Sequence, residues 1–262
     1  MTDWLELCRA AVGDVHDVLA EMPTRLEREP VLRRGEGGDD TTAIDAEAER
    51  VVLERLRPLG VSILSEEIGT VDGNTTLVVV DPIDGSLNAK RGIPFFSLSI
   101  AVAEGDRMED VHFAYVYDFG SGEEWTARRG EGAWLDGDAL GAVRPKEQIE
   151  ILSFEATLTS LVAEHAAAFT GVAHRLRVMG SLALSLCHLA AGRVDGVCSL
   201  KEARSVDIAA AQLLCREVGL AIELFDDPRP FGEAELDLGQ RSRVAAAGTP
   251  ELCRRIAAAL SA

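Results

Sequence analysis

Val78-Val79-Val80-Asp81-Pro82-Ile83-Asp84-Gly85-Ser86 is the stretch on which the reading of this chain turns. The unbroken apolar run before Asp81 predicts a strand buried on both faces, which delivers that carboxylate to its C-terminal end. Pro82 fixes a turn, and Asp84 re-emerges three residues later beside Gly85. Glycine allows close backbone approach, and a helix starting at Ser86 would aim its free N–H groups at an anion. Two carboxylates, the Ile83 carbonyl and an anion-binding helix start therefore converge within six residues. Hard oxygen donors of this kind suit Mg²⁺ bridged to a phosphate. The competing reading is a solvated turn with incidental aspartates. A calcium loop is excluded, since that motif needs ligands at alternate positions and a distal glutamate.

Upstream, the apolar run VSILS (61–65) also ends in carboxylates, Glu66 and Glu67. One of the pair is a candidate to bridge ions, and the second reads as a solvated face. Asp45 lies near the start of a helix expected over 41–59, capped by Thr41 or Thr42. Asp207 opens another helix, where a bare N-cap is the alternative to a ligand. The segment 27–40, EREPVLRRGEGGDD, follows a helix expected over 4–26 and reads as a mobile loop that covers or helps build the site. Downstream, FFSLSIAVAEG, VHFAYVYDF, EEWTAR and GAWLDG predict an antiparallel meander. From about residue 146 the pattern becomes strand–helix alternation. The expected organisation is an N-terminal lobe, 1–145, carrying most of the carboxylates, and a C-terminal α/β lobe, 146–262, contributing Asp207. Together they form one catalytic unit of mixed α and β structure, with sheets between helix layers.

The net charge is −18, and of the 26 basic residues only Lys90, Lys146 and Lys201 are lysines. No basic stripe exists to neutralise a nucleic-acid polymer. The composition suits either a salt-rich cytoplasm, where self-repulsion is screened, or an ordinary acidic enzyme from a GC-rich genome. No apolar run is long enough for a membrane span, and the acidic N-terminus lacks the features of a signal peptide, so a cytoplasmic protein is expected. The five cysteines are scattered without a CxxC pair and are expected to be buried free thiols. No histidine has ligand spacing or an evident nucleophile partner. Gly35–Gly38 lacks the lysine and downstream helix of a P-loop, and no strand leads into a GxGxxG motif, so a dinucleotide fold is unsupported.

GGDDTTAID, ILSEE, VVVDPIDGSLN, GIPFFSLSIAV, RRGEGAWLDG, RVMGSLALSLCHLAAGRVDG and SVDIAAAQ together resemble the inositol monophosphatase family, within the superfamily that includes fructose-1,6-bisphosphatase. The likeness runs nearly end to end. GIPFFSLSIA and the short stretch between Glu66 and Asp81 look most like the archaeal branch, whose members often accept both inositol monophosphate and fructose bisphosphate. The resemblance implies an α+β fold layered α/β/α/β/α, a homodimer, and two or three Mg²⁺ ions per site. It implies that Glu66, Asp81 and the Ile83 carbonyl hold one ion, that Asp81, Asp84 and Asp207 hold a second, and that Glu66 with Asp45 supports a third and orients the attacking water. The N–H groups of Gly85 and Ser86 would grip the phosphate, and the Ser86 hydroxyl would position the nucleophile. Gly180 and Ser181 fall where the family contacts substrate. Arg204, near the pocket rim, and Arg177 are the candidate substrate cations, a surface ion pair being the alternative for Arg204. Ser86 stands where threonine is usual, and Val206 where many relatives carry tryptophan. The implied function is hydrolysis of a small phosphorylated polyol or sugar. The alternatives are a phosphatase for 3′-phosphoadenosine 5′-phosphate and a catalytically silent sugar-phosphate-binding regulator.

Overall fold

The computed structural model describes residues 2–144, 146–155 and 158–261. Two sheets lie between three helix layers. The first sheet has eight strands in the order Asp138–Ala139, Gly132–Leu135, Glu124–Arg128, Val111–Asp118, Ser97–Ala103, Leu77–Asp84, Ser62–Ser65, Gly69–Val71. All neighbours are antiparallel except Ser62–Ser65, which runs parallel to Leu77–Asp84. The second sheet has five strands, Ala173–Arg177, Ile149–Glu155, Gly196–Ser199, Val244–Ala247 and Ala221–Leu224, the first three mutually parallel. Residues 62–139 thus supply one sheet and residues 149–247 the other, and the layered α+β architecture follows.

Alternation along Leu77–Asp84 explains the layering. Val78 and Val80 face the helices Trp4–Glu21 and Ala43–Leu56, in a core with Ala11, Val15, Val52 and Leu56. Val79 faces the other way, into a core with Leu184, Ala209 and Leu213 from the helices Leu182–Ala190 and Ser205–Glu217. Those two helices form the central layer, because their far side packs on Val197, Val244 and Ala246 of the second sheet. The helix Pro250–Leu260 closes the outer face through Leu252, Cys253 and Ile256. A strand with helices on both faces must be apolar throughout, which is why VVV carries no polar alternation.

Several elements differ from the sequence reading. The first helix ends at Glu21, since Pro23 cannot donate an N–H to extend it, and a short turn of helix, Arg25–Arg28, follows. The segment read as a loop is a hairpin, Val31–Arg34 with Asp40–Thr42. Every residue of its first strand is exposed, so there was no burial pattern to read. Thr42, not Thr41, caps the helix Ala43–Leu56. The five cysteines are buried free thiols. Among the described residues no helix is long and apolar enough to cross a membrane.

Candidate active site

The site is assembled from element ends that meet at one edge of the first sheet. Because Ser62–Ser65 and Leu77–Asp84 are parallel, with Ser65 opposite Val80, both strands release their carboxylates at the same end. Asp81 shares the face of Val79 and so points toward the central helices. Simple alternation would turn Asp84 away. A bulge prevents this: Asp81 pairs with Ser99 and Asp84 with Ser97, so three steps on one strand match two on its neighbour. The extra residue brings Asp84 back to the face of Asp81. Asp81 accepts the Ile83 N–H at 3.0 Å, and the Ser86 hydroxyl donates to the Ile83 carbonyl at 3.0 Å, so the turn is held from within. Gly85 sits at φ +96°, where a Cβ would lie 3.1 Å from the carbonyl oxygens of Gly180 and Phe95. Only glycine fits that approach.

Asp84 accepts the Ser181 hydroxyl at 2.5 Å and the Ala183 N–H at 2.8 Å, which ties the sheet edge to the start of the helix Leu182–Ala190. Asp207 belongs to the first turn of the helix Ser205–Glu217 and accepts the Arg204 N–H at 2.7 Å. The N-cap of this helix is therefore Arg204. Asp45, in the first turn of Ala43–Leu56, accepts the Thr42 N–H at 3.0 Å and its hydroxyl at 2.5 Å through one oxygen. Its other oxygen is buried with no hydrogen-bond partner.

Ligand oxygens of Glu66, Asp81 and Asp207 lie within 4.8 Å of one another. Burial is the main cause that pushes the Glu66 carboxyl up to about 8, with Asp207 and Glu67 adding repulsion and the Arg204 charge opposing both. Asp81 is driven well above the ordinary carboxylate range by burial, then by Glu66 and Asp84. Asp84 rises to about 7 through burial, against the hydrogen bond from Ser181. Carboxylates arranged so that each resists ionisation are stabilised by a cation among them. The oxygen-only donor set, the crowded charges and the orphaned Asp45 oxygen fit a hard divalent ion.

The cleft over these groups has a volume of about 410 Å³ and is lined by Asp45, Glu66, Asp81, Ile83, Asp84, Gly85, Ser86, Gly180, Arg204 and Asp207. Ser181 lies behind it, buried against Asp84. Arg177 ends an edge strand, is exposed and donates to the Leu176 carbonyl at 2.9 Å, away from the cleft lining. Arg204 is not at the rim. Its side chain is 9 % exposed and lies against Glu66 at 2.6 Å and Asp207 at 3.1 Å, drawn in by those charges. Burial disfavours a charged guanidinium, but Asp207 and Glu66 outweigh it and hold the group above the ordinary arginine value.

Three further features escaped the sequence reading. Glu67 is buried rather than solvated and accepts the Thr41 hydroxyl. Glu155 ends its strand in a buried position and accepts the Gly180 N–H at 2.8 Å and the Ser185 hydroxyl at 2.6 Å, fixing the turn that presents Ser181. A glutamate closing an apolar strand was the available signal for both; upstream it had marked the Glu66–Glu67 pair without choosing between them. Lys90 and Lys201, two of the chain's three lysines, line the cleft.

Sheets and helices in five layers, with carboxylates gathered where strand ends meet helix starts, define a class. The model of the inositol monophosphatase family matches residues 5–262, and the chain belongs to that family of phosphatases. It is similar to the fructose-1,6-bisphosphatase/inositol-1-monophosphatase of Thermococcus kodakarensis, with 35 % identity covering 85 % of this chain and 84 % of that protein. It is also similar to the Nus factor SuhB of Vibrio cholerae, at 32 % identity over 86 % of each chain. A solved inositol monophosphatase–fructose 1,6-bisphosphatase superposes with a TM-score of 0.85 at 26 % identity, covering 98 % of this chain and all of that one.

Proposed function

We propose that the cleft hydrolyses small phosphate monoesters, inositol monophosphate or fructose 1,6-bisphosphate among them, with two or three Mg²⁺ ions bound. The observation that carries this reading is the cluster of buried Asp81 with half-buried Glu66 and Asp207, whose carboxylate oxygens lie within 4.8 Å of one another. Those residues, with Asp84, Asp45 and the Ile83 carbonyl, would hold the ions. Bound there, the metal would polarise the phosphate and make water nucleophilic at neutral pH. The residues of the chain do the rest. The N–H groups of Gly85 and Ser86 receive the phosphate oxygens, and Glu66 with Asp45 orients the attacking water. The Ser86 hydroxyl, already 3.0 Å from the Ile83 carbonyl, stands where it can fix the nucleophile's line of approach. Ser181 and Ala183 keep Asp84 turned inward.

The second phosphate of a bisphosphate needs a cation outside the carboxylate cluster. Arg204 is held in the buried cluster by Glu66 and Asp207, so we assign that contact to Lys90 and to Lys201, whose own partner, Asp39 at 3.1 Å, forms an exposed pair that a phosphate can displace. A lysine is a point charge on a flexible stem and can follow a phosphate on sugars of different shape. The alternative, a catalytically silent sugar-phosphate-binding regulator, would bind phosphorylated sugars without turning any of them over. The homodimer implied by the family resemblance would be read by light scattering. A panel of inositol, sugar and nucleotide phosphates, assayed with Mg²⁺ and with chelator, tests the whole reading. Turnover of the nucleotide phosphate alone would redirect the substrate assignment, and turnover indifferent to chelation would end it.

A further inference from the structure

Arg204 is the one cation placed inside the carboxylate cluster among the described residues. Its Nη2 lies 2.6 Å from Glu66 Oε1 and 3.1 Å from Asp207 Oδ1, and its Nε lies 3.4 Å from Asp207 Oδ2. Its Nη1 reaches outward, 3.3 Å from the Gly37 carbonyl and 3.4 Å from Asp39 Oδ2, a carboxylate that is 54 % exposed. The same guanidinium thus touches two of the proposed metal ligands on one side and the hairpin loop on the other.

The loop is shaped to admit it. A Cβ on Gly37 would lie 2.5 Å from Arg204 Nη1 and 3.0 Å from the Glu66 carbonyl oxygen. The Gly37 N–H donates to that Glu66 carbonyl at 2.8 Å, so the loop is pinned to the backbone of a metal ligand. Arg241 Nη2 also donates to the Gly37 carbonyl. A buried ion pair of this kind is costly to desolvate and gives little net stability against an apolar replacement, but breaking it leaves uncompensated charge. Its presence here has an electrostatic reason: without it Glu66 and Asp207 would face Asp81 with no positive charge between them.

Resting on the metal-dependent reading above, the geometry points to Arg204 as an internal counter-cation that occupies the ligand set in the metal-free chain and is exchanged for metal. A divalent ion bound to Glu66 and Asp207 competes for the oxygens that Arg204 holds and repels the guanidinium. Asp39 is the acceptor already within reach, 3.4 Å from Nη1 and shared with Lys201 Nζ at 3.1 Å, so the side chain passes to the loop when metal enters. Metal affinity is then set partly by this competition, and Arg204 is a positioning residue for the carboxylates in the metal-free state.

The test uses the full chain without substrate. Mg²⁺ affinity is measured by calorimetry, and melting temperature is measured with and without Mg²⁺, for the wild type, Arg204→Met and Gly37→Ala. Arg204→Met removes the competitor and keeps the stem. It is expected to melt lower than wild type without metal, to bind Mg²⁺ about tenfold more tightly, about 1.4 kcal/mol, and to gain more from metal on melting. Gly37→Ala keeps Arg204 and every carboxylate in the sequence but crowds the guanidinium at 2.5 Å, and less severely the Glu66 Cγ at 3.1 Å, so it should shift affinity the same way by a smaller factor. Equal or weaker Mg²⁺ binding by a folded Arg204→Met chain overturns the proposal. If that variant does not fold, unchanged affinity in Gly37→Ala overturns it. Failure of the wild type to bind Mg²⁺ defeats the metal-dependent reading itself, and with it this one, so the two failures are told apart.

Discussion

Asp84→Asn separates catalysis from folding, because one charge serves the first and opposes the second. In the metal-free chain the Asp84 carboxyl rises from the ordinary 3.8 to about 7, chiefly through burial, with Asp207 adding repulsion and Ser181 opposing. A carboxyl whose folded pKa lies above its unfolded value is neutral in both states at low pH and costs nothing there. Stability then falls as pH rises from about 4 through about 7 and stays low above that. An interval of about 3 pH units at about 1.36 kcal/mol each bounds the penalty at about 4 kcal/mol. Protons shared with Glu66 and Asp81 bring the expected gain on removing the charge nearer 1–2 kcal/mol, on the order of a coupled site. The amide keeps the shape, since its oxygen still accepts from Ser181 and Ala183. At about 2–4 °C per kcal/mol for a chain of this size, metal-free Asp84→Asn should melt roughly 2–8 °C above wild type at pH 8. The gain should vanish toward pH 4. With Mg²⁺ supplied, turnover should fall by well over about tenfold, more than about 1.4 kcal/mol in the barrier. Melting scans across pH with chelator, followed by kinetics with Mg²⁺, measure both. A lower melting temperature at pH 8, or a gain as large at pH 4 as at pH 8, would refute the repulsion argument. More than about a tenth of wild-type turnover would refute Asp84 as a ligand.

Chelation should abolish turnover and added Mg²⁺ restore it, and full activity in metal-free buffer would sink the proposed chemistry. Lys90→Ala and Lys201→Ala should each lower kcat/KM for fructose 1,6-bisphosphate by about tenfold, the worth of a charge-assisted contact, while inositol monophosphate hydrolysis changes much less. Equal losses on both substrates would assign the lysines to the common phosphate or to the fold. Raising KCl toward molar levels should raise the melting temperature of a chain with net charge −18, and a flat or falling trend would favour the GC-rich-genome explanation.

The parts of the site that were legible in sequence are those where a local pattern breaks. An apolar strand ending in charge is such a break, and it marked Asp81, Asp84 and the Glu66–Glu67 pair without reference to any relative, though only the family likeness chose Glu66 from that pair. Asp207 carried no comparable signal, since a carboxylate in a first helical turn is ordinary capping chemistry, and its approach to Asp81 depends on helices packed from the second half of the chain. Family likeness supplied what the local pattern lacked. Arg204 was misplaced at the rim for the same reason: its position is set by attraction to Glu66 and Asp207, groups that sequence spacing cannot bring together. The hairpin at Val31–Thr42 was invisible because its first strand buries nothing. The bulge between Asp81 and Asp84 was legible only in outline. Pro82 reads as a turn, whereas the strand runs on through it to Asp84, and the extra residue that returns Asp84 to the face of Asp81 is a matter of register with Ser97 and Ser99.

Charge balance ties these parts together. Glu66, Asp81, Asp84 and Asp207 would carry four negative charges if all ionised, and burial resists that ionisation in Glu66, Asp81 and Asp84. Arg204 neutralises one of the four, and protons retained on the raised carboxyls offset others. A phosphate monoester brings about two more negative charges into the same buried volume. Neither the guanidinium nor the few N–H groups at Gly85 and Ser86 can offset that sum, and protonating the carboxylates would remove the groups proposed to orient water. Two divalent ions would offset the four carboxylates and a third the charge of the incoming phosphate, beside Asp45, whose second oxygen is buried without a partner. On the proposed reading, the number of ions follows from the charge the fold has gathered at one edge of its larger sheet.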